Sequence, residues 1–160
     1  MAKTLYIMCG PAGGGKSTYI RKHAKPGASA HISRDAIRFA MVHEDEYYFS
    51  RETEVYNEFC EEINYALHCP WVEEVWADAT HLTHKARRKL ITEARIDVSN
   101  TLIIPVVVAP PIEVVLEQNS QRTGRERVPN SVIHNMCNSL EDPCVDDIEY
   151  YDIIYTGGKE

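Results

Sequence analysis

Glycines, a lysine and a serine near the start of the chain have the spacing of a phosphate-binding loop. The stretch GPAGGGKS, residues 10–17, fits the pattern G-x-x-x-x-G-K-[ST]. In such a loop the backbone N–H groups surround a β-phosphate, and the next helix points its positive N-terminus at it. The lysine bridges the β- and γ-phosphates, and the hydroxyl after it ligates Mg²⁺. The residues predicted to contact the nucleotide are Gly10, Ala12, Gly13, Gly14, Gly15, Lys16, Ser17 and Thr18, with Ser17 also a metal ligand.

Asp35 and Arg38 form a second group of candidate residues. They lie three residues apart at the start of a predicted helix, so their side chains share one face and can meet one substrate. Two other interpretations stay open. Asp35 can simply occupy the first helical turn, where the helix dipole favours an acid. Arg38 can be a solvated charge on the helix surface.

Further charges lie in a loop and at a strand end. Arg122, Arg125 and Arg127 stand around Gly124 in the stretch QRTGRERVP, in a chain with 24 acids and 17 bases. The stretch is either a mobile cationic cover for phosphates or a solvated basic loop. Asp78 ends a predicted strand, at the edge where open α/β sheets bind ligands. It can also cap the turn that leads to Thr80.

Alternating strands and helices position these residues. Short apolar runs predict strands at 4–9, 28–33, 72–77, 101–109 and 151–155. Amphipathic or capped segments predict helices at 17–24, 34–42, 50–68, 84–94, 112–120 and 130–140, the fourth capped by Thr83. This alternation implies a parallel sheet of about five strands with helices on both faces. We expect one domain spanning residues 1–160.

Composition excludes some classes of function. The formal charge of −7 argues against a protein that coats long nucleic acid, because such proteins neutralise many phosphates, although it allows a grip on one end. We find no apolar run of transmembrane length and no signal segment, so we expect a cytoplasmic protein. The five cysteines form no C-x-x-C pair, which favours free thiols over a zinc site.

The ordered set of motifs resembles the small P-loop kinase family that includes phage-type polynucleotide 5′-hydroxyl kinases. The stretch HISRDAIRFAM is similar to that family's strand ending in RD, and ADATHLTHKARRKL to its D-x-[TN] strand end and following Arg-containing helix. EQNSQRTGRERVP resembles its Arg-bearing lid, and SLEDPCVDDIEYYDIIY its closing helix, acidic-Pro turn and final strand. The resemblance spans nearly the whole chain and implies an adenylate-kinase-like P-loop NTPase fold with a short Arg-bearing lid.

The resemblance also implies roles for individual residues. Asp35 would be the general base on an acceptor hydroxyl, with Lys16 and Arg122 as the other catalytic residues and Arg125 assisting at the nucleotide. Arg38 and Thr80 would bind the acceptor. Asp78 would contact Mg²⁺ through water or support Asp35. ATP and Mg²⁺ are therefore the expected cofactors, and the acceptor is a 5′-hydroxyl nucleic acid end or a small hydroxyl compound.

Two rival functions remain at this point. One is a small-molecule kinase that phosphorylates a nucleoside, sugar or antibiotic, and the other is an ATP-dependent switch that acts on a protein partner. We expect no membrane contact and no obligate protein partner. The acidic stretch VHEDEYYFSRETEVYNEF departs from the basic surface of many nucleic-acid kinases. Its aromatic residues, Tyr47, Tyr48, Phe49 and Tyr56, either stack on a base or belong to the core.

Overall fold

The computed structural model describes residues 2–124 and 127–157, so Arg125 of the predicted lid lies outside the described residues. Within them the strands are β1 (Lys3–Cys9), β2 (Ser29–Ser33), β3 (Glu74–Asp78), β4 (Thr101–Val108) and β5 (Ile154–Thr156). The helices are α1 (Lys16–His23), α2 (Arg34–Met41), α3 (Glu52–Leu67), α4 (His84–Glu93), α5 (Ile112–Ser120) and α6 (Asn130–Ser139). The strands form one parallel sheet in the order β2-β3-β1-β4-β5. The predicted α/β fold is confirmed.

The core lies on both faces of this sheet. Because side chains alternate along a strand, Leu5 and Ile7 of β1 pack on one face and Met8 on the other. The first face is covered by α3 and α4, through residues such as Phe59. Ile20 of α1 packs on the second face. Central parallel strands are therefore apolar on both sides, as the continuous apolar runs predict.

Side-chain caps begin two of the described helices. Thr83 caps α4, because its hydroxyl accepts a hydrogen bond from the Ala86 N–H at 3.1 Å. Ser33 caps α2 in the same way through the Ala36 N–H, so α2 begins directly at the end of β2. No helix formed by the described residues is both long and apolar enough to cross a bilayer.

Two strands begin two or more residues after their predicted starts. The apolar residue Val72 precedes β3, because its N–H bonds to the Cys69 carbonyl in a turn. β5 begins at Ile154, because the Asp152 carboxylate accepts the Ile153 N–H. Side-chain and turn hydrogen bonds here replace the pairing that an apolar pattern predicts.

The sheet register brings the candidate residues to one edge. Ser33, the last residue of β2, is paired with Asp78, the last residue of β3. β1 lies on the other side of β3 and leads into the glycine-rich loop. The start of α2, the end of β3 and this loop therefore meet at the carboxyl edge of the sheet, where such folds bind ligands.

Candidate active site

The glycine-rich loop connects the end of β1 to α1. Gly10 passes so close to β4 that a Cβ on it would lie 2.2 Å from the Val108 carbonyl oxygen. Gly15 has a φ of 96° directly before α1, a conformation that side chains rarely adopt, and a Cβ there would meet no described heavy atom within 4 Å. The loop is thus tight against the sheet and open in front of the helix N-terminus, as a phosphate cradle requires.

Lys16 lies inside this loop. Its Nζ donates to the carbonyl oxygens of Gly10 at 3.1 Å and Pro11 at 2.8 Å. Burial lowers the pKa of the ammonium, and the nearby carboxylates of Asp78 and Asp35 act in the opposite direction. The loop therefore carries a preorganised cation beside its N–H groups.

Ser17 and Asp78 form the candidate metal site. The Ser17 hydroxyl donates to Asp78 Oδ2 at 2.7 Å, and His31 Nε2 lies 2.8 Å from the same oxygen. Burial alone would raise the pKa of Asp78. The hydrogen bonds from His31 and Ser17 outweigh burial, so the pKa of Asp78 is below its usual value. The group remains an anion. The sequence offered no signal for His31.

This pair fits magnesium better than a metal with a full set of protein ligands. No cluster of three or more His, Cys, Asp or Glu residues suited to a metal occurs in residues 2–124 and 127–157. Mg²⁺ commonly takes one or two protein oxygens and completes its shell with water and substrate phosphates. Ser17 and Asp78 provide two such oxygens beside the phosphate loop.

Asp35 and Arg38 share a face of α2, as predicted. Arg38 Nη1 donates to Asp35 Oδ1 at 2.5 Å. The Nε and Nη2 of Arg38 bind the two oxygens of Glu52 at 2.6 and 2.9 Å, and Arg34 donates to Glu52 at 3.0 Å. Arg38 is 8% exposed, so it is no solvated surface charge. Sequence reasoning missed Glu52, because its carboxylate is one of many acidic side chains in this segment.

The loop arginine reaches the same place. Arg122 Nη2 lies 3.6 Å from Asp35 Oδ2, although the two residues are far apart in the sequence. Arg127 is exposed, and Arg125 lies outside the described residues. The structure therefore brings Asp35, Arg122 and the phosphate-loop lysine into one electrostatic group, since Asp35 and Arg122 both affect the pKa of Lys16.

The remaining predicted contacts surround the phosphate loop. The carbonyl of Thr80 accepts the Gly10 N–H at 2.9 Å, so Thr80 lies beside the loop. The Ala12 N–H donates to the sulfur of Met136 in α6 at 3.5 Å. The Thr18 hydroxyl accepts from Arg21 in α1. The structure thus brings Thr80, Ala12 and Thr18 to the same edge.

A buried ion pair holds the turn after β3. Arg87 in α4 is fully buried and donates to both oxygens of Asp146, at 2.7 and 3.1 Å. It also donates to the His81 carbonyl at 2.8 Å. The Arg-containing helix and the acidic-Pro turn identified in the sequence therefore meet beneath the site.

The aromatic residues of the acidic segment divide between core and surface. Tyr48 is 6% exposed, and Tyr56 packs against the main core. Tyr47 and Phe49 are 73% and 38% exposed. Neither interpretation made from the sequence holds for all four residues.

Comparison with known proteins places this arrangement in a class. The chain resembles a component of the Pnkp1/Rnl/Hen1 RNA repair complex, with 19% identity and a TM-score of 0.68, over 87% of this chain and 44% of that one. A fungal RNA kinase has 15% identity and a TM-score of 0.65, over 97% and 38%. A sugar kinase from Janibacter sp. HTCC2649 has 15% identity and a TM-score of 0.63, over 98% and 85%. At these identities the likeness establishes the fold, which is that of P-loop kinases.

The family follows from a match of the sequence itself. The family model described as an AAA domain matches residues 5–143, and the chain belongs to that family. No curated protein matches the sequence. The chain spans less than half of the RNA repair component and of the fungal RNA kinase. The resemblance to small P-loop kinases is confirmed.

Proposed function

We propose that this chain is an ATP-dependent kinase, with donor and acceptor sites in one domain, that transfers the γ-phosphate to a hydroxyl. The observation that carries the proposal is the position of Asp35. Its carboxylate is held by Arg38, lies 3.6 Å from Arg122, and is 49% exposed at the sheet edge that bears the phosphate loop. A nucleotide-dependent switch has no use for an open carboxylate beside the γ-phosphate.

The donor half of the site would bind the triphosphate. The loop N–H groups and Lys16 would hold the phosphates, and Ser17 and Asp78 would hold Mg²⁺. When bound, Mg²⁺ neutralises charge on the phosphate oxygens. His31 donates to Asp78 and so helps keep that carboxylate ionised.

The acceptor half would perform the chemistry. The acceptor oxygen forms a bond to the γ-phosphorus, the bond from that phosphorus to the bridging oxygen breaks, and ADP leaves. Asp35 accepts the proton of the hydroxyl. Arg38, fixed by Glu52, orients Asp35. Arg122 stabilises the negative charge that passes between donor and acceptor.

The acceptor we favour is the 5′-hydroxyl of a nucleic acid end or oligonucleotide. Support comes from the RD motif with Arg38 and from the fold shared with a fungal RNA kinase. A small hydroxyl compound is the second candidate, because the same fold occurs in a sugar kinase and the surface near α2 carries Glu44 and Asp45.

Asp35→Asn tests the proposal. The change keeps the size of the side chain and removes the basic carboxylate, so transfer should fall by roughly 10²- to 10⁴-fold while ATP affinity stays nearly constant. Transfer would be measured with labelled ATP on 5′-hydroxyl oligonucleotides, nucleosides and sugars, and ATP affinity by calorimetry. Asp97→Asn is the matched control, since Asp97 precedes β4 at the opposite edge of the sheet.

The possible outcomes separate the rival functions. Undiminished transfer by Asp35→Asn contradicts the role of the carboxylate as base. Transfer to nucleosides or sugars alone favours the small-molecule kinase. ATP binding by the unmutated chain without transfer to any hydroxyl refutes the kinase proposal and favours the switch.

A further inference from the structure

Two exposed aromatic rings lie on the loop between α2 and α3. Tyr47 and Phe49 have ring centroids 5.8 Å apart and an interplanar angle of 62°, so the rings meet edge to face. Tyr47 is 73% exposed although a neighbouring ring, Tyr48, is buried. An exposed aromatic pair of this kind is a surface on which a flat ligand can stack.

The loop holds the two rings in place. Glu46 accepts the His43 N–H at 3.1 Å and the Arg51 Nε–H at 3.1 Å, which ties the two ends of the loop together. The Ser50 N–H donates to the Tyr47 carbonyl at 2.9 Å, which closes a turn around the rings. A preorganised surface loses less conformational entropy on binding than a free loop.

The rings lie next to the proposed base. The guanidinium carbon of Arg38 lies 5.0 Å from the centroid of the Phe49 ring, and Arg38 itself binds Asp35. Contacts thus link the Asp35 carboxylate through Arg38 to Phe49, and Phe49 to Tyr47. The two rings therefore belong to the same contact network as the proposed base.

The charges around the rings disfavour a phosphate-rich ligand. Glu44 and Asp45 are exposed in the same loop. Arg38, whose guanidinium lies over the Phe49 ring, already donates to Glu52 and Asp35 through Nε, Nη1 and Nη2. Recognition at this surface therefore depends on an apolar, planar group rather than on the phosphate charges that usually bind nucleic acid.

We propose that Tyr47 and Phe49 form a stacking surface for the nucleobase attached to the acceptor sugar. The proposal rests on the kinase function proposed above and names its acceptor class, a base-bearing 5′-hydroxyl. This ligand can be a free nucleoside or the first nucleotide of an oligonucleotide. Stacking selects the base by its planar face, so it tolerates different bases.

Tyr47→Ala is the decisive variant. Tyr47 is exposed and contacts Phe49, so its removal should leave the Asp35–Arg38 pair intact. Its KM for a 5′-hydroxyl oligonucleotide should rise about fivefold or more with kcat nearly unchanged, the loss expected for one stacked base. The KM for the same oligonucleotide with an abasic first position should not change. Tyr47→Trp should restore the low KM, and Tyr65→Ala, an exposed tyrosine of α3, is the matched control.

Adenosine as acceptor distinguishes the two sources of the base. A similar KM for adenosine and the oligonucleotide, insensitive to salt, supports recognition of a single nucleoside. The proposal is overturned if the KM for the oligonucleotide is much lower than that for adenosine, is sensitive to salt and is unchanged by Tyr47→Ala. Phosphate contacts then supply the affinity.

Two further results would decide the proposal. An equal rise in KM for base-bearing and abasic acceptors overturns the stacking role. If the unmutated chain transfers phosphate to no acceptor, the kinase proposal fails, and calorimetry with adenosine still decides the stacking surface. Binding that Tyr47→Ala weakens about fivefold supports it, and absence of binding refutes it.

Discussion

Acidification should destabilise this chain through one buried histidine, His81. The residue is 5% exposed, lies directly after Thr80, and its Nδ1 is 2.8 Å from the Met8 carbonyl at the end of β1. Burial is the main cause that lowers the pKa of His81 from 6.5 to about 4, and the charges of Arg34 and Lys16 lower it further. The hydrogen bond to Met8 opposes this shift only in part.

The sign and size of the effect follow from proton linkage. Between pH 6.5 and pH 4 the unfolded chain binds a proton at this imidazole and the folded chain does not. The free energy of unfolding should therefore fall as the pH falls, by about 1.4 kcal/mol per pH unit. Over the whole interval the loss is about 3 kcal/mol. Typical domains have only about 5–15 kcal/mol of stability, so the effect is measurable.

His81→Asn isolates this contribution. His81 has a φ of 38°, and asparagine tolerates that conformation and can still donate to the Met8 carbonyl. Urea unfolding at several pH values should give a flatter dependence for His81→Asn than for the unmutated chain. Val72→Ala, which weakens the core without removing a titratable group, controls for the loss of stability itself. If His81→Asn and Val72→Ala show the same pH dependence as the unmutated chain, the reasoning about His81 is wrong.

Three further predictions concern the site. Lys16→Ala and Ser17→Ala should each abolish transfer while the thermal unfolding temperature stays within a few degrees, and retained activity would contradict the phosphate-loop assignment. Arg122→Ala should lower kcat by roughly 10²-fold or more with a modest change in the KM for ATP, because the arginine acts on charge that develops in the transition state. A change in KM alone would mean that it only holds ATP. Glu52→Gln should lower kcat with little effect on ATP affinity, since it leaves the guanidinium of Arg38 free to shift away from its place beside Asp35. Calorimetry and initial rates on the same samples would check this, and an unchanged kcat would exclude the positioning role.

The elements that were predictable are those whose causes are local. The glycine-rich loop is recognisable because a tight approach to phosphate demands small residues at fixed spacing. Strand and helix positions follow from apolar runs and from caps such as Thr83. Asp35 and Arg38 share a face because three residues are nearly one helical turn. Sequence alone therefore indicated the P-loop fold and the two sides of the site.

Tertiary structure decided which distant charges meet. The register of β2 against β3 places His31 on Asp78, and packing of α3 beside α2 places Glu52 on Arg38. The loop that carries Arg122 returns to Asp35 across the sheet edge. Each of these contacts joins residues whose separation in sequence bears no relation to a helical or strand period. The reason is that side-chain pairing across elements depends on the register of the sheet and the packing of its helices, which many residues determine together.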